Sequence, residues 1–596
     1  MPTRRHKSIF TRIEMDIQTT KTLMQVAAGA EPADKVITHA TLVNVFTGEL
    51  LENWSVGIKG KRIAYTGADG THMIGPNTHV IDADGKPLIP GLIDGHTHIL
   101  WMTTPEEFLK NALSGGTTTI VTEIFEPYPV AGIDGVNDLL NALADQPIKI
   151  LATAPAMVSI SRRSRGIKKA DLDSLLSRTE ILGLGESYWQ GILQSPDAYL
   201  PAFNLTRKHR KTLEGHSAGA SQNKLNAYAA AGISSCHEPI QPAEVIDRLR
   251  LGFYVMVREG SVRRDLEAIS EIKASGVDFR RLVLVSDGLS PAELSANGYM
   301  EHIVQKAIDC GFAPVDAIRM ATLNVAEHFG IDDRVGAIAP GRYADMAILP
   351  DMTNIAPELV LSNGEIIAQN GISLARAKSH AFSSKSRETV RLPGRLEAKD
   401  FEIAAVRREN THTVRVIELI TDLVTRERRM DLPAENGRLQ INPENDLLKI
   451  AAIDRAYTPG DMFVGLLKGL GLRSGAFATS ATWDSADLIV AGADEADMAL
   501  AVNRIQELNG GVVVCSQGNI LAEMPLPIFG VISDQPSKVV EQQAAAIDEA
   551  LAGLGVSLRD PALTLATLTT AAIPFFRICE EGYVNLKDGK TLGLFV

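Results

Sequence analysis

The sequence predicts an α/β protein: a (β/α)8 TIM-type barrel, a small β-sandwich formed by the segments on either side of it, and an additional C-terminal α+β domain. Three observations predict it. Between residues 90 and 335, eight short apolar runs that end in polar residues alternate with helical-looking stretches. About 240 residues for eight such units is the usual size of this kind of barrel. Short β-branched runs broken by turn residues flank the region on both sides, and a further region of strands and helices follows.

Length and composition agree. At roughly 100–200 residues per domain, 596 residues suggest about three or four units. The chain is 45% hydrophobic and 22% charged, which excludes bulk disorder, collagen and a disulfide-stapled mini-protein. A net charge of −13 is a poor match to sequence-independent nucleic-acid binding, which needs a basic footprint. No uncharged apolar stretch approaches the ~20 residues that span a bilayer. Residues 1–21 mix charges and contain no apolar signal-peptide core. Cys236, Cys310, Cys515 and Cys579 form no CxxC pair, which fits a reducing compartment. The expectation is a cytoplasmic protein with neither nucleic-acid nor membrane partners.

Along the chain, residues 1–34 read as a polar arm. Residues 35–89 (VITHATLVNV, SVGIKGKRIAYTG, THVIDADGKPLI) read as short strands with Gly, Asp and Asn turns, the first part of the sandwich. The eight runs of the barrel, 90–335, are GLIDGHTH, GTTTIVTE, IKILATAP, EILGLGE, TLEGHSAG, ISSCHEP, FYVMVREGS and LVLVSDG. Segments such as PEEFLKNALSGG and PAEVIDRLRLG supply helices between them. Residues 336–375 return to strands and turns as the second part of the sandwich. Residues 376–396 are basic and Ser-rich, as a linker would be. Residues 397–596 form the last region.

Chemistry-bearing residues fall at the ends of five runs: His96 and His98 on the first, Glu186 on the fourth, His216 on the fifth, His237 on the sixth and Asp287 on the eighth. The carboxyl ends of barrel strands converge on one face, where active sites are built. His96 and His98 stand two apart in a strand and point the same way. Four imidazoles and two carboxylates exceed the needs of one tetrahedral ion. They suit two divalent ions sharing a carboxylate, and Glu186 is the natural bridge. Mixed His and carboxylate donors suit Mn²⁺, Fe²⁺ or Zn²⁺.

The motif PGLIDGHTHI resembles the first metal-binding strand of the amidohydrolase superfamily, and GAIAPGRYADMAIL resembles that family's return to its sandwich. GTTTIVTE, GLGE, GHSAG, LNAYAAAGISSCHE, LGFYVMVREGS, IRMATLNVAEHFG and a long C-terminal stretch from Gly471 are similar to its adenine deaminase branch. The resemblance implies His96, His98, Glu186, His216, His237 and Asp287 as ligands of two ions, Mn²⁺ foremost. It implies hydrolytic deamination of adenine to hypoxanthine and ammonia by a hydroxide held between them, in a homo-oligomer. Asp287 is the expected proton shuttle. Glu238, directly after His237, either shares a proton with the ring or hydrogen-bonds a ligand histidine. Arg258, Glu259 and Ser261 either bind the purine edge or form an ion pair at the barrel rim, with Ser286 and Glu123 as further candidates of the same kind. Other readings stay open: an amidohydrolase for a cyclic amide, an N-acyl group or a 6-substituted purine, or a catalytically impaired purine-binding protein. The chain departs from the family pattern at Phe125 in TEIFEP, at SDG (286–288), at DRA (454–456) and at SATWDSAD (480–487), where histidines or a paired aspartate are expected.

Overall fold

The computed structural model describes residues 15–156, 159–163, 166–405 and 410–596. Residues 1–14 of the expected arm lie outside these. The remainder of the arm forms the helix Ile17–Ala27, opened by Asp16, whose carboxylate accepts from the Thr19 N–H at 2.8 Å. Leu23 and Val26 anchor it to the β unit that follows.

The two flanking β segments pair with each other in one nine-stranded sheet, eight strands in a continuous path and His79–Asp82 paired beside Lys35–Asn44. The reason is the short strand Pro87–Pro90. It pairs on one side with Lys35–Asn44 and on the other, antiparallel, with Met346–Ile348. Ile37, Val56, Ile58, Leu88, Met346 and Leu361 fill the core of this unit.

Each of the eight apolar runs contains a strand of a parallel sheet. Leu92–Thr97, Thr117–Glu123, Lys149–Ala154, Ile181–Tyr188 and Thr212–His216 pair in chain order as one sheet, and Ser235–Cys236, Tyr254–Arg258 and Leu282–Val285 as another. Backbone hydrogen bonds link the two at both margins. The Ser234 N–H donates to the Leu213 carbonyl at 2.9 Å, and the Asp287 N–H to the His96 carbonyl at 3.1 Å. The parallel sheet is therefore curled, with its first and last strands side by side. Both faces are apolar because both are covered. Inside, Ile93, Val121, Leu182, Met256, Val283 and Val285 pack against Val325 and Phe329 of the helix Leu323–Phe329. Outside, the strands pack against the intervening helices, such as Pro105–Ala112, capped by Thr104.

The segment 376–396 is a packed strap, not a free linker. Its polar residues find partners on the helix Tyr128–Leu143 and the turn after it. His380 Nε2 lies 2.8 Å from Asp138 Oδ1, Lys378 N–H donates to Gln146 Oε1 at 2.8 Å, and Ser386 is buried.

The last region holds a second nine-stranded sheet. Period-two alternation gives it two apolar faces. Ala451, Ile453, Val490 and Val513 meet the helix Glu495–Leu508, while Ile450, Ile489, Val512 and Val514 share a core with the helix Ser537–Gly553. A three-stranded antiparallel sheet, Phe576–Cys579, Gly582–Asn585 and Lys590–Leu592, completes it. Among the described residues, no helix is long and apolar enough to cross a membrane.

Candidate metal centre

The curl of the parallel sheet brings the polar strand ends together. His96, Glu186, His237 and Asp287 present donor atoms all within 4.8 Å of one another, and His216, His237 and Glu238 form an overlapping group. His98 joins them, its Nε2 3.2 Å from Glu186 Oε1 and 3.7 Å from Asp287 Oδ1. All seven side chains are buried.

Local structure aims these groups. Asp94, His96 and His98 alternate along one strand end. Asp287 follows the strand Leu282–Val285 with φ +55°, a left-handed conformation that Asp tolerates better than bulkier residues, and Gly288 continues the turn at φ +103°. Glu186 spans the site. Its Oε1 lies 3.3 Å from His96 Nε2 and 3.2 Å from His98 Nε2, while its Oε2 lies 3.0 Å from His216 Nδ1. One carboxylate thus faces two different sets of imidazoles.

The far nitrogens of three histidines also have neighbours. His98 Nδ1 is 3.2 Å from Glu126 Oε1, His96 Nδ1 is 3.8 Å from Glu123 Oε1, and His216 Nε2 is 2.9 Å from the Ala572 carbonyl. Such partners orient imidazole ligands and select their tautomer.

The electrostatics describe a site that attracts cations. Burial raises the carboxyl of Glu186, but His237 and the other histidines outweigh it and hold the group well below the ordinary carboxylate range. For Asp287, burial is outweighed by His96, His237 and Arg258. Burial disfavours protonated His98, yet Glu126 and Glu186 raise it to about 10. Buried carboxylates here draw positive charge onto the imidazoles, a role that divalent ions fill directly. The donor set fits ions better than protons. His96 Nε2 is buried beside oxygens of Glu186 and Asp287 without an aligned hydrogen bond, and Glu238 Oε1 has none either, although it lies 2.6 Å from His237 Nε2.

A cavity of about 530 Å³ opens onto the cluster. His98, Glu186, His216, His237, Glu238, Arg258, Ser261 and Asp287 line it from the parallel sheet, and residues 421–424, Trp483, Leu563 and 572–574 line it from the C-terminal region. The remaining candidates divide. Arg258 faces the cavity and reaches Asp287 Oδ2 at 3.4 Å while its Nε bonds Asp265 at 3.0 Å. Ser261 lines the cavity and donates to Glu293 at 2.5 Å.

Three further candidates lie outside the cavity lining. Ser286 points away from the cavity. Its hydroxyl donates to Asp94 Oδ2 at 2.5 Å, which also accepts from Tyr299 at 2.7 Å, so this trio braces the first strand against the eighth. Glu259 turns to Lys306 Nζ at 2.6 Å, a rim ion pair outside the cavity lining. Glu123 lies beside His96 on the closed side of the cluster, where burial pushes its carboxyl up to about 8.

Sequence reasoning passed over Asp94 and Glu126, both inside quoted motifs. Asp94 shares the alternation of His96 and His98, a signal that was available. Trp483, inside the SATWDSAD stretch, and the Ala572 carbonyl, which no local pattern marks, approach from hundreds of residues away.

A curled parallel sheet with imidazoles and carboxylates gathered at its carboxyl end is the arrangement of an amidohydrolase, and the amidohydrolase family model matches residues 88–367. The model of the adenine deaminase C-terminal domain matches residues 422–590. The chain is 37% identical over 586 residues to an adenine deaminase of Moorella thermoacetica, covering 97% of this chain and 98% of that one. It is 35% identical over 580 residues to one of Ruegeria sp., covering 96% of each, and 34% identical over 588 to one of Clostridium botulinum, covering 97% and 98%. Among solved structures, a β-aspartyl dipeptidase from Fervidobacterium islandicum aligns with a TM-score of 0.46 at 18% identity, covering 59% of this chain and 100% of that one. The chain belongs to the adenine deaminase family.

Proposed function

We propose that this protein hydrolyses adenine to hypoxanthine and ammonia, and that His96, His98, Glu186, His216, His237 and Asp287 would hold the two divalent ions that this chemistry uses. The observation that carries this reading is the convergence of those six side chains in one cluster, five of them lining one cavity, in a chain that matches a relative over 97% of its length. Mn²⁺ is the favoured ion, and Fe²⁺ or Zn²⁺ also suits these donors. We further infer that the eight parallel strands work as one closed (β/α)8 barrel over 90–335, with 35–89 and 336–375 as its companion β unit and 397–596 as an added domain. The two marginal hydrogen bonds support that closure.

When bound, the ions lower the pKa of water and polarise the bond under attack. The protein's own groups supply the proton traffic. Asp287 is held ionised at the cavity wall and carries a proton from the attacking water to the departing amine. Arg258 holds the second oxygen of Asp287, which keeps the first turned toward His96. Glu238 faces the same cavity with Oε1 free of aligned hydrogen bonds, and shares a proton with the purine ring as attack proceeds. Its other oxygen is pinned by the Ser217 N–H at 2.6 Å, so only one oxygen serves that purpose.

The test is ammonia release from adenine by metal-replete protein. Rapid turnover supports the reading. No ammonia from adenine, together with rapid hydrolysis of a cyclic amide, an N-acyl sugar or another 6-substituted purine, would replace it with one of those activities.

A further inference from the structure

The Ala572 carbonyl touches the centre from the opposite end of the chain. His216 Nε2 lies 2.9 Å from that oxygen, while Nδ1 faces Glu186 Oε2 at 3.0 Å and Glu238 Oε1 at 3.1 Å. A carbonyl oxygen only accepts, so Nε2 carries the proton. In a neutral imidazole this leaves the lone pair on Nδ1, the nitrogen turned toward the carboxylates. One peptide group of the C-terminal region therefore selects the tautomer of a ligand on the fifth parallel strand.

Ala572 itself belongs to no helix or strand, although Thr425, at the start of the strand Thr425–Glu435, donates its N–H to the nearby Pro574 carbonyl at 3.2 Å. Residues 570–575 run as irregular chain between the 3₁₀ turn Thr567–Thr569 and the strand Phe576–Cys579. Two buried side chains, Arg577 and Thr570, brace the residues on either side of it. Arg577 is fully buried, and its Nε donates to the Ile573 carbonyl at 2.6 Å. Its Nη2 donates to the carbonyls of Leu423 at 2.8 Å and Pro574 at 3.0 Å. Leu423, Ile573 and Pro574 all line the cavity over the metal centre. Thr570 accepts from the Ala572 N–H at 3.1 Å and donates to Asp484 at 3.0 Å. An apolar side chain would fill the place of Arg577 without the cost of desolvating a charge. A buried guanidinium whose bonds go to the carbonyls of two cavity-lining loops serves position instead.

We propose that Arg577 and Thr570 are positioning residues for the metal centre: they fix the Ala572 carbonyl that locks His216 in its Nε2-protonated tautomer, so the C-terminal region completes the site of the ion that His216 holds. The proposal rests on the metal-centre reading above.

Full-length protein stripped of metal and reloaded with Co²⁺ tests it. The readouts are cobalt per chain, the visible d–d spectrum and the rate of release to a chelator, with circular dichroism as the check on folding. Thr570→Val removes both hydroxyl bonds at nearly constant volume, Arg577→Met removes the clamp, and Arg577→Lys keeps the charge but cannot span the carbonyls. The wild type is expected to hold two ions. Thr570→Val and Arg577→Met are expected to release one of them at least tenfold faster with altered d–d bands, and Arg577→Lys to lie between. If the wild type takes up no cobalt, the metal reading itself falls, and this proposal with it. If the wild type holds two and the folded variants match its spectrum and release rate, the metal reading stands and the positioning role is overturned. Should Arg577→Met not fold, Thr570→Val decides alone.

Discussion

The indole of Trp483 lies nearly parallel to the imidazole of His98, with ring centroids 5.8 Å apart and planes 11° from parallel. Trp101 meets the same indole edge-on at 5.5 Å, and Phe125 meets His98 edge-on at 5.4 Å. Phe125 and the stretch SATWDSAD (480–487), which holds Trp483, are where the sequence led us to expect histidines. At these positions the chain surrounds the imidazole of His98, a proposed ligand, with apolar rings.

Trp483→Ala removes the ring that covers His98 and widens the cavity it lines. The kcat/KM for adenine is expected to fall about tenfold, equivalent to about 1.4 kcal/mol. Trp483→Phe keeps a flat ring and is expected to stay within about threefold. Steady-state kinetics on the two variants check this, and equal kcat/KM for the alanine variant and wild type would remove Trp483 from the site.

Asp287→Asn keeps the shape of the side chain and loses the proton acceptor. The kcat is expected to fall by about 10²–10⁴-fold, the usual worth of a positioned acid–base group. Metal content must be measured on the same sample, because Asp287 is also a proposed ligand. A variant that keeps both ions and full kcat would exclude the shuttle.

Ser286→Ala separates a brace from a substrate contact. The hydroxyl lost here serves Asp94, which burial already pushes up to about 6. Stability is expected to drop by about 1–3 kcal/mol as Asp94 loses a partner, with KM for adenine unchanged. Chemical denaturation and kinetics read the two effects independently, and a raised KM with unchanged stability would return Ser286 to the purine edge.

Asp484 gives stability a pH dependence of definite sign. Burial pushes its carboxyl up to about 7 from an ordinary 3.8, against bonds from Thr570 and Tyr188. Between those values the folded state keeps a proton that the unfolded chain has released. This group's contribution to stability therefore falls as pH rises from about 4 to 7. Asp484→Asn is expected to flatten the decline, which denaturation at pH 5 and pH 7.5 measures. An unchanged slope would mean that Asp484 is ionised throughout.

Much of the site was legible because its signals are local. His96 and His98 share a strand face through period-two alternation, and Glu186, His216, His237 and Asp287 sit where apolar runs end. Other roles were ambiguous in the chain itself. Ser286 directly precedes a proposed ligand, but adjacent residues point to opposite sides, and only its bond to Asp94, 192 positions away, shows which side it took. The run REGS divides in the same way, with Arg258 facing the cavity and Glu259 paired with Lys306.

Alternation of apolar runs with polar ends sufficed to dictate eight parallel strands and the residue types at their mouths, since strand period and burial on both faces act over a few neighbours. The fold in three dimensions alone decided that Trp483 would cover His98, that a backbone oxygen at position 572 would choose the tautomer of His216, and that a strap at 376–396 would be packed. Those contacts join groups far apart in the chain. Their partners are set by how the packed units come to rest against one another, which no short stretch of residues encodes.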